Sequence, residues 1–115
     1  MAGERILLVE DEPDIHQLLS HALRGEGYGV DVAETVARAG EYLDAQSYAV
    51  VIADWRLPDG DGFEIADRAA DRGAKTIMIS GYLFQIPAER AARHELLMKP
   101  MRPQELIDAV ERLLR

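Results

Sequence analysis

The sequence predicts an α/β protein: a parallel sheet between two layers of helices. Two observations carry that expectation. Short apolar runs alternate with segments of helical period along the whole chain, giving five βα units in series. Two of those runs, Ile6 to Val9 and Ala49 to Ala53, lack polar alternation, as strands covered on both faces do. A length of 115 residues with 48% hydrophobic residues supports one domain, residues 1–115, whose core needs no covalent staple.

The elements follow in order. Ile6-Leu7-Leu8-Val9 is the first strand. Pro13 then opens a helix in which Ile15, Leu18, Leu19, Ala22 and Leu23 recur at helical spacing until Gly25 and Gly27 end it. Val30-Asp31-Val32 alternates and suits an edge strand with one wet face. Thr35 caps a second helix carrying Val36, Ala39 and Leu43. Ala49 to Ala53 is the third strand, and the turn cluster Pro58 to Gly62 leads into a helix with Phe63, Ile65, Ala66, Ala69 and Ala70. Thr76 to Ile79 is the fourth strand. Ser80 to Ile86 has no clear period, and Pro87 opens only a short helical segment through Arg93. Leu96-Leu97-Met98 is a brief last strand. Pro103 sits in the first turn of a final helix, where Leu106, Ile107, Val110, Leu113 and Leu114 form one apolar face.

Composition removes several function classes. There is no cysteine, so disulfides, Cys-ligated metals and thiol catalysis are excluded. Thirteen basic against twenty-one acidic residues, a formal net charge of −8, argue against a nucleic-acid backbone as partner. The apolar runs are too short to span a membrane, and Met1 to Arg5 lacks the core of a signal peptide, so a cytoplasmic setting is expected. His16, His21 and His94 share no metal-ligand spacing and read as surface residues. Asp59 and Asp61 read as turn residues, and Glu12 as solvated.

Sites in open parallel sheets form beyond the carboxyl ends of the strands. Those ends carry Glu10 and Asp11 after the first strand, Asp54 after the third, Ser80 after the fourth and Lys99 after the fifth. Carboxylates drawn together repel, and a hard divalent cation such as Mg²⁺ relieves that repulsion while leaving positions for phosphate oxygens. A hydroxyl and an ammonium nearby suit the remaining oxygens. The set describes a phosphoryl-transfer site, in which positioning and charge neutralisation supply most of the catalysis.

Leu8-Val9-Glu10-Asp11-Glu12, Ile52 to Gly62, Ile79-Ser80-Gly81 and Met98-Lys99-Pro100 together resemble the receiver domain of two-component response regulators, in order and spacing from Ile6 to Leu114. The resemblance implies a flavodoxin-like (βα)5 fold with strand order 2-1-3-4-5. It implies Asp54 as phosphoacceptor, taking a phosphoryl group from a phosphohistidine on a sensor histidine kinase or a histidine phosphotransfer protein and then acting on a downstream target. It implies Mg²⁺, with Mn²⁺ as its substitute, held by Asp11, Asp54 and the backbone carbonyl of Arg56, with Glu10 acting through water. Ser80 and Lys99 would hold phosphoryl oxygens, Lys99-Pro100 would be a cis peptide bond, and Pro58 and Gly62 would shape the loop after Asp54.

The sequence also departs from the common receiver pattern. The interval from Ser80 to Lys99 is short, implying a shrunken fourth helix. Leu96 stands where an aromatic switch residue is common, and Met101 where phenylalanine is. Ser80-Gly81-Tyr82 followed by Pro87 resembles, in part, the receivers marked by a Phe-Ala-Thr-Gly-aromatic-Tyr signature. Two other functions use related chemistry: an aspartate-nucleophile Mg²⁺-dependent phosphatase, and a binding module of the same fold that is never phosphorylated. The phosphatase usually needs an acid two residues after its nucleophile; here that residue is Arg56, which cannot give up a proton near neutral pH. The complete set of site residues weighs against the binding module.

Overall fold

The computed structural model describes residues 3–115. Its elements are β1 (Arg5–Val9), α1 (Pro13–Gly25), β2 (Gly29–Ala33), α2 (Val36–Ala45), β3 (Val50–Asp54), β4 (Arg56–Leu57), β5 (Gly60–Asp61), α3 (Gly62–Asp71), β6 (Lys75–Ser80), α4 (Ala88–Ala91), β7 (Glu95–Met98) and α5 (Pro103–Leu114). A single 3₁₀ turn, Leu83–Gln85, precedes α4. Five parallel strands form one sheet in the order β2-β1-β3-β6-β7. With the small ribbon β4–β5 set aside, this is the expected 2-1-3-4-5 order.

Side-chain alternation explains why β1 and β3 look uniformly apolar. Leu7 and Val9 of β1 and Val51 and Ala53 of β3 pack toward α2 and α3, against Ala39, Leu43, Phe63 and Ala66. Ile6, Leu8, Val50 and Ile52 face the opposite way, toward Leu19 and Leu23 of α1 and Leu106 and Val110 of α5. Both faces are dry, so period-two patterning has nothing polar to show. Each fully buried large side chain stabilises the fold by roughly 1.5–3 kcal/mol.

Helix ends follow the sequence, with one addition. The Thr35 hydroxyl accepts from the Arg38 amide at 3.0 Å, as expected of an N-cap. Asp59 adds a second cap to the same helix, accepting from the amides of Val36 and Ala37 at 2.7 and 3.0 Å. These bonds hold the Asp59 carboxyl below its usual range. The turn cluster is therefore a strut: β4 and β5 pair as an antiparallel ribbon and brace α2 from the far side of β3. At α5, the Glu105 carboxylate accepts from the Arg102 amide at 3.0 Å, behind Pro103 in the first turn.

One expectation is corrected. His94 does not lie on the surface: its side chain is fully enclosed, with Nε2 2.8 Å from Asp67 Oδ1 and Nδ1 2.5 Å from Thr76 Oγ1. Its ring lies 5.6 Å from that of Phe63. The partners come from α3 and β6, so the polar run around His94 conceals a tertiary contact.

The expected edge strand β2 does lie at the rim of the sheet, and its polar residue is engaged. Asp31 Oδ2 accepts from Arg5 (2.8 Å), Gln46 (2.8 Å) and the Tyr48 hydroxyl (2.7 Å). Burial pushes the Asp31 carboxyl up, but the Tyr48 and Arg5 hydrogen bonds outweigh it and hold the group below the ordinary carboxylate range. A depressed carboxyl contributes stability that is present above its unfolded value, near pH 4, and is lost as pH falls through the lower folded value. In urea titrations across that window, wild type is expected to lose stability relative to Asp31→Asn. Parallel acid limbs for the two proteins would show that Asp31 carries no such linkage.

Candidate functional site

Parallel register delivers the polar residues to one rim. Val9 pairs with Ala33 and Ala53, Asp54 with Ile79, and Ser80 with Met98. The next residue on β1 is Glu10, which emerges beside the end of β3, and the next on β7 is Lys99, which emerges beside the end of β6 and reaches Asp54 with its side chain. Backbone bonds continue the sheet past the strands: Glu10 N–H donates to Ala33 O at 2.9 Å, and Lys99 N–H to Ser80 O at 3.0 Å. The Lys99–Pro100 peptide bond is cis, as expected.

Lys99 is the hub. Its Nζ lies 2.8 Å from Glu10 Oε1, 2.9 Å from Asp54 Oδ2 and 3.7 Å from Glu12 Oε1. The carboxylates of Glu10, Asp11 and Asp54 each bring an oxygen within 4.8 Å of the others. Glu10 is wholly buried, Asp54 and Ser80 are nearly so, and Asp11 is half-buried. Glu12 is exposed as expected, and its amide donates to Glu10 Oε2 at 3.2 Å. Burial, reinforced by the Asp54 charge, pushes the Glu10 carboxyl above its usual range despite Lys99. Burial also pulls the Lys99 ammonium down, but its contacts with Asp54 and Glu10 prevail and hold it above the ordinary value.

Ser80 Oγ accepts from the Tyr82 amide at 2.9 Å, fixing the start of the loop after β6. A cleft of about 460 Å³ opens between Asp11, Asp54, Arg56, Ser80, Tyr82 and Lys99. Every residue of the expected site set is thus gathered at one place: Asp11, Asp54, Arg56, Ser80 and Lys99 line the cleft, and Glu10 lies buried behind it against Lys99.

Sequence reasoning gave the backbone carbonyl of Arg56 to the metal and set its side chain aside as unable to act as an acid. The side chain has its own place: the guanidinium lies 4.7 Å from the centroid of Trp55 and 5.4 Å from that of Tyr82, and Nη2 donates to Gln85 Oε1 at 3.2 Å. It ties the loop after β3 to the loop after β6. Trp55 next to Arg56 in the sequence hints at such stacking, but only the fold brings Tyr82 alongside.

Three carboxylates facing one ammonium leave an excess of negative charge. An all-oxygen donor set of that charge fits a hard divalent cation. The response regulator receiver domain model matches residues 6–111. The chain belongs to this family. The receiver protein CpdR of Brucella abortus is 33% identical over 116 residues, covering 96% of this chain and 97% of that protein. The transcriptional regulator TcrA of Mycobacterium tuberculosis is 43% identical over 68 residues, 27% of its own length. The regulator TrrA of Thermotoga maritima, solved with Mg²⁺ and BeF, superposes with a TM-score of 0.85 at 32% identity, covering 96% of this chain and 98% of that one. The receiver of the sensor histidine kinase PA1611 from Pseudomonas aeruginosa, solved with magnesium in its active-site cleft, gives 0.86 at 28% identity over 98% of each chain.

Gly62 sets how closely β3 and α3 of this receiver domain approach. Its amide donates to Trp55 O at 2.8 Å, and a Cβ built on it would stand 1.9 Å from the carbonyl oxygen of Asp54. That neighbour is backbone and cannot swing aside. Gly62→Ala is therefore expected to cost about 3 kcal/mol or more in chemical denaturation, whereas Gly81→Ala, which meets open space, stays near wild type. Equal stabilities would show that the loop after Asp54 yields freely.

Proposed function

We propose that residues 1–115 act as one receiver domain that accepts a phosphoryl group on Asp54 in a Mg²⁺-dependent reaction. The observation that carries this reading is the buried Glu10–Lys99–Asp54 contact, with Asp11 completing the acidic cluster at the mouth of one cleft. Asp11, Asp54 and the Arg56 backbone carbonyl would hold the ion, and Glu10 would orient one of its waters. The bound ion would neutralise charge on the transferring oxygens. An Asp54 carboxylate oxygen attacks phosphorus; the O–P bond forms as the P–N bond of the donor phosphohistidine breaks, and the imidazole nitrogen keeps the electron pair. Lys99 then exchanges its contact with Asp54 for a phosphoryl oxygen, and Ser80 donates its hydroxyl to another.

The donor is a sensor histidine kinase or a histidine phosphotransfer protein, which implies a cytoplasmic setting, and a downstream protein reads the phosphorylated state. Mn²⁺ serves in place of Mg²⁺ on the same oxygen ligands. A self-modifying switch is favoured over a phosphatase because Arg56, stacked between Trp55 and Tyr82, occupies the position from which an acid would protonate a leaving group.

Acetyl phosphate with Mg²⁺ is expected to add one phosphate, located on Asp54 by mass spectrometry. Asp54→Ala abolishes the adduct, and Lys99→Ala retains some. Steady multiple turnover of small phosphoesters by wild type would instead establish the phosphatase.

Mg²⁺ also relieves repulsion in the folded state, so it raises the melting temperature. At ten times the dissociation constant, linkage gives about 1.4 kcal/mol, on the order of 5 °C for a chain of this size. The double variant Asp11→Asn with Asp54→Asn is expected to lose that shift; an undiminished shift would place the ion elsewhere.

A further inference from the structure

One segment of the described residues is attached by charge where the other helices are attached by apolar burial. The helix α4 buries no residue, whereas α5 buries Leu106, Ile107, Ala109 and Val110. Local backbone bonds shape the segment: Gln85 N–H to Tyr82 O, Ile86 to Leu83, Arg90 and Ala91 to Pro87, and His94 to Ala91. Ile86 is its single buried apolar anchor.

The side-chain attachments of Arg90, Arg93 and His94 reach α3, its N-cap and β6. The Arg90 guanidinium lies 4.7 Å from the centroid of the buried Phe63 ring and 3.5 Å from Asp61 Oδ2. Arg93 reaches Asp71 Oδ1 at 2.7 Å and Asp67 Oδ1 at 3.8 Å. His94 closes the set, enclosed between Asp67 and Thr76. Asp67 and Asp71 stand one helical turn apart on α3, so the arginine and the histidine share one acidic stripe.

We propose that residues 87–94 are an electrostatic strap over α3, pinned at Ile86 and His94, that opens and closes as one unit. Exposed ion pairs contribute little singly. Here they act together, because the small side chain of Ala91 is the strap's one apolar contact with the core. Asp61 gives the strap a line to the acceptor loop: its Oδ1 caps α3 through the Phe63 amide at 2.8 Å, while its other oxygen meets Arg90. Asp61 is followed directly by Gly62, which packs on the Asp54 carbonyl. Opening the strap thus loosens a residue that helps set the geometry of that loop.

Phosphorylation plays no part in the strap's attachment, so the unmodified protein suffices for a test by amide hydrogen exchange. Raising NaCl from about 0.1 M to about 1 M shortens the screening length from about 10 Å to about 3 Å. Exchange at the amides of Arg90, Ala91 and His94 is expected to accelerate about fivefold, while Ile77 to Ile79 of β6 stay unchanged. The double variant Asp67→Asn with Asp71→Asn, at a half-buried and an exposed position of α3, should exchange at the fast rate already at low salt. The swap Arg93→Asp with Asp71→Arg should restore protection and its salt dependence. Salt-independent exchange in wild type would overturn the proposal, as would a double variant that keeps wild-type protection.

Discussion

A buried carboxylate that must be paired organises this molecule. Glu10 is wholly enclosed, and an isolated ionised group there would be strongly unfavourable. Lys99 offsets part of that cost by standing 2.8 Å away, while also meeting Asp54 at 2.9 Å. The contact joins the ends of β1, β3 and β7, so the register of the whole sheet has to be right for the pair to form. A one-residue slip in β1 or β3 would exchange inward and outward faces and scatter the carboxylates. Core and site are therefore specified together: the apolar alternation that fills both layers is also what aligns the three strand ends.

Much of this was legible because both depend on short-range pattern. Uniformly apolar β1 and β3, and the helical periods of α1, α3 and α5, needed only neighbouring residues to be read. Once strand ends are located, Glu10, Asp11, Asp54, Ser80 and Lys99 fall at one rim by topology alone. What escaped reading depends on contacts between distant elements. His94 sits in a charged run that looks solvated, and its burial is decided by Thr76 and Asp67 on two other elements. Asp59 reads as a turn residue, and its role as a second cap of α2 arises only when the β4–β5 ribbon folds back. The Arg56 side chain bridges two loops that are adjacent in space and remote in sequence.

The acidic excess takes on meaning from its distribution. Part of it is concentrated at the cleft, where Glu10, Asp11 and Asp54 face one ammonium and leave charge for a cation. Another part lies along α3, where Asp61, Asp67 and Asp71 meet Arg90, Arg93 and His94. The first cluster holds more carboxylates than cations and is buried in its depth; the second pairs acids with arginines nearer the surface. Like charges held close in a buried site destabilise the fold, and dense packing on both sides of β1 and β3 offsets that. An acidic group matched by a basic neighbour at the surface carries no such penalty and holds its segment only weakly.

The two halves of the site consequently differ in stiffness. Glu10 and Asp54 extend from central strands: every residue of β3 is buried, as is all of β1 beyond Arg5. Ser80 and Lys99 border the interval containing the 3₁₀ turn, α4 and β7, in which no residue of β7 is fully buried. New negative charge at Asp54 would repel carboxylates that cannot retreat and attract a hydroxyl and an ammonium whose connecting segment can adjust. On that reading the displacement would follow the compliant side. Leu96, with no aromatic ring to swing inward, leaves the segment between Ser80 and Lys99 as the element able to carry that displacement to the surface, and the stripe on α3 sets how firmly it is held.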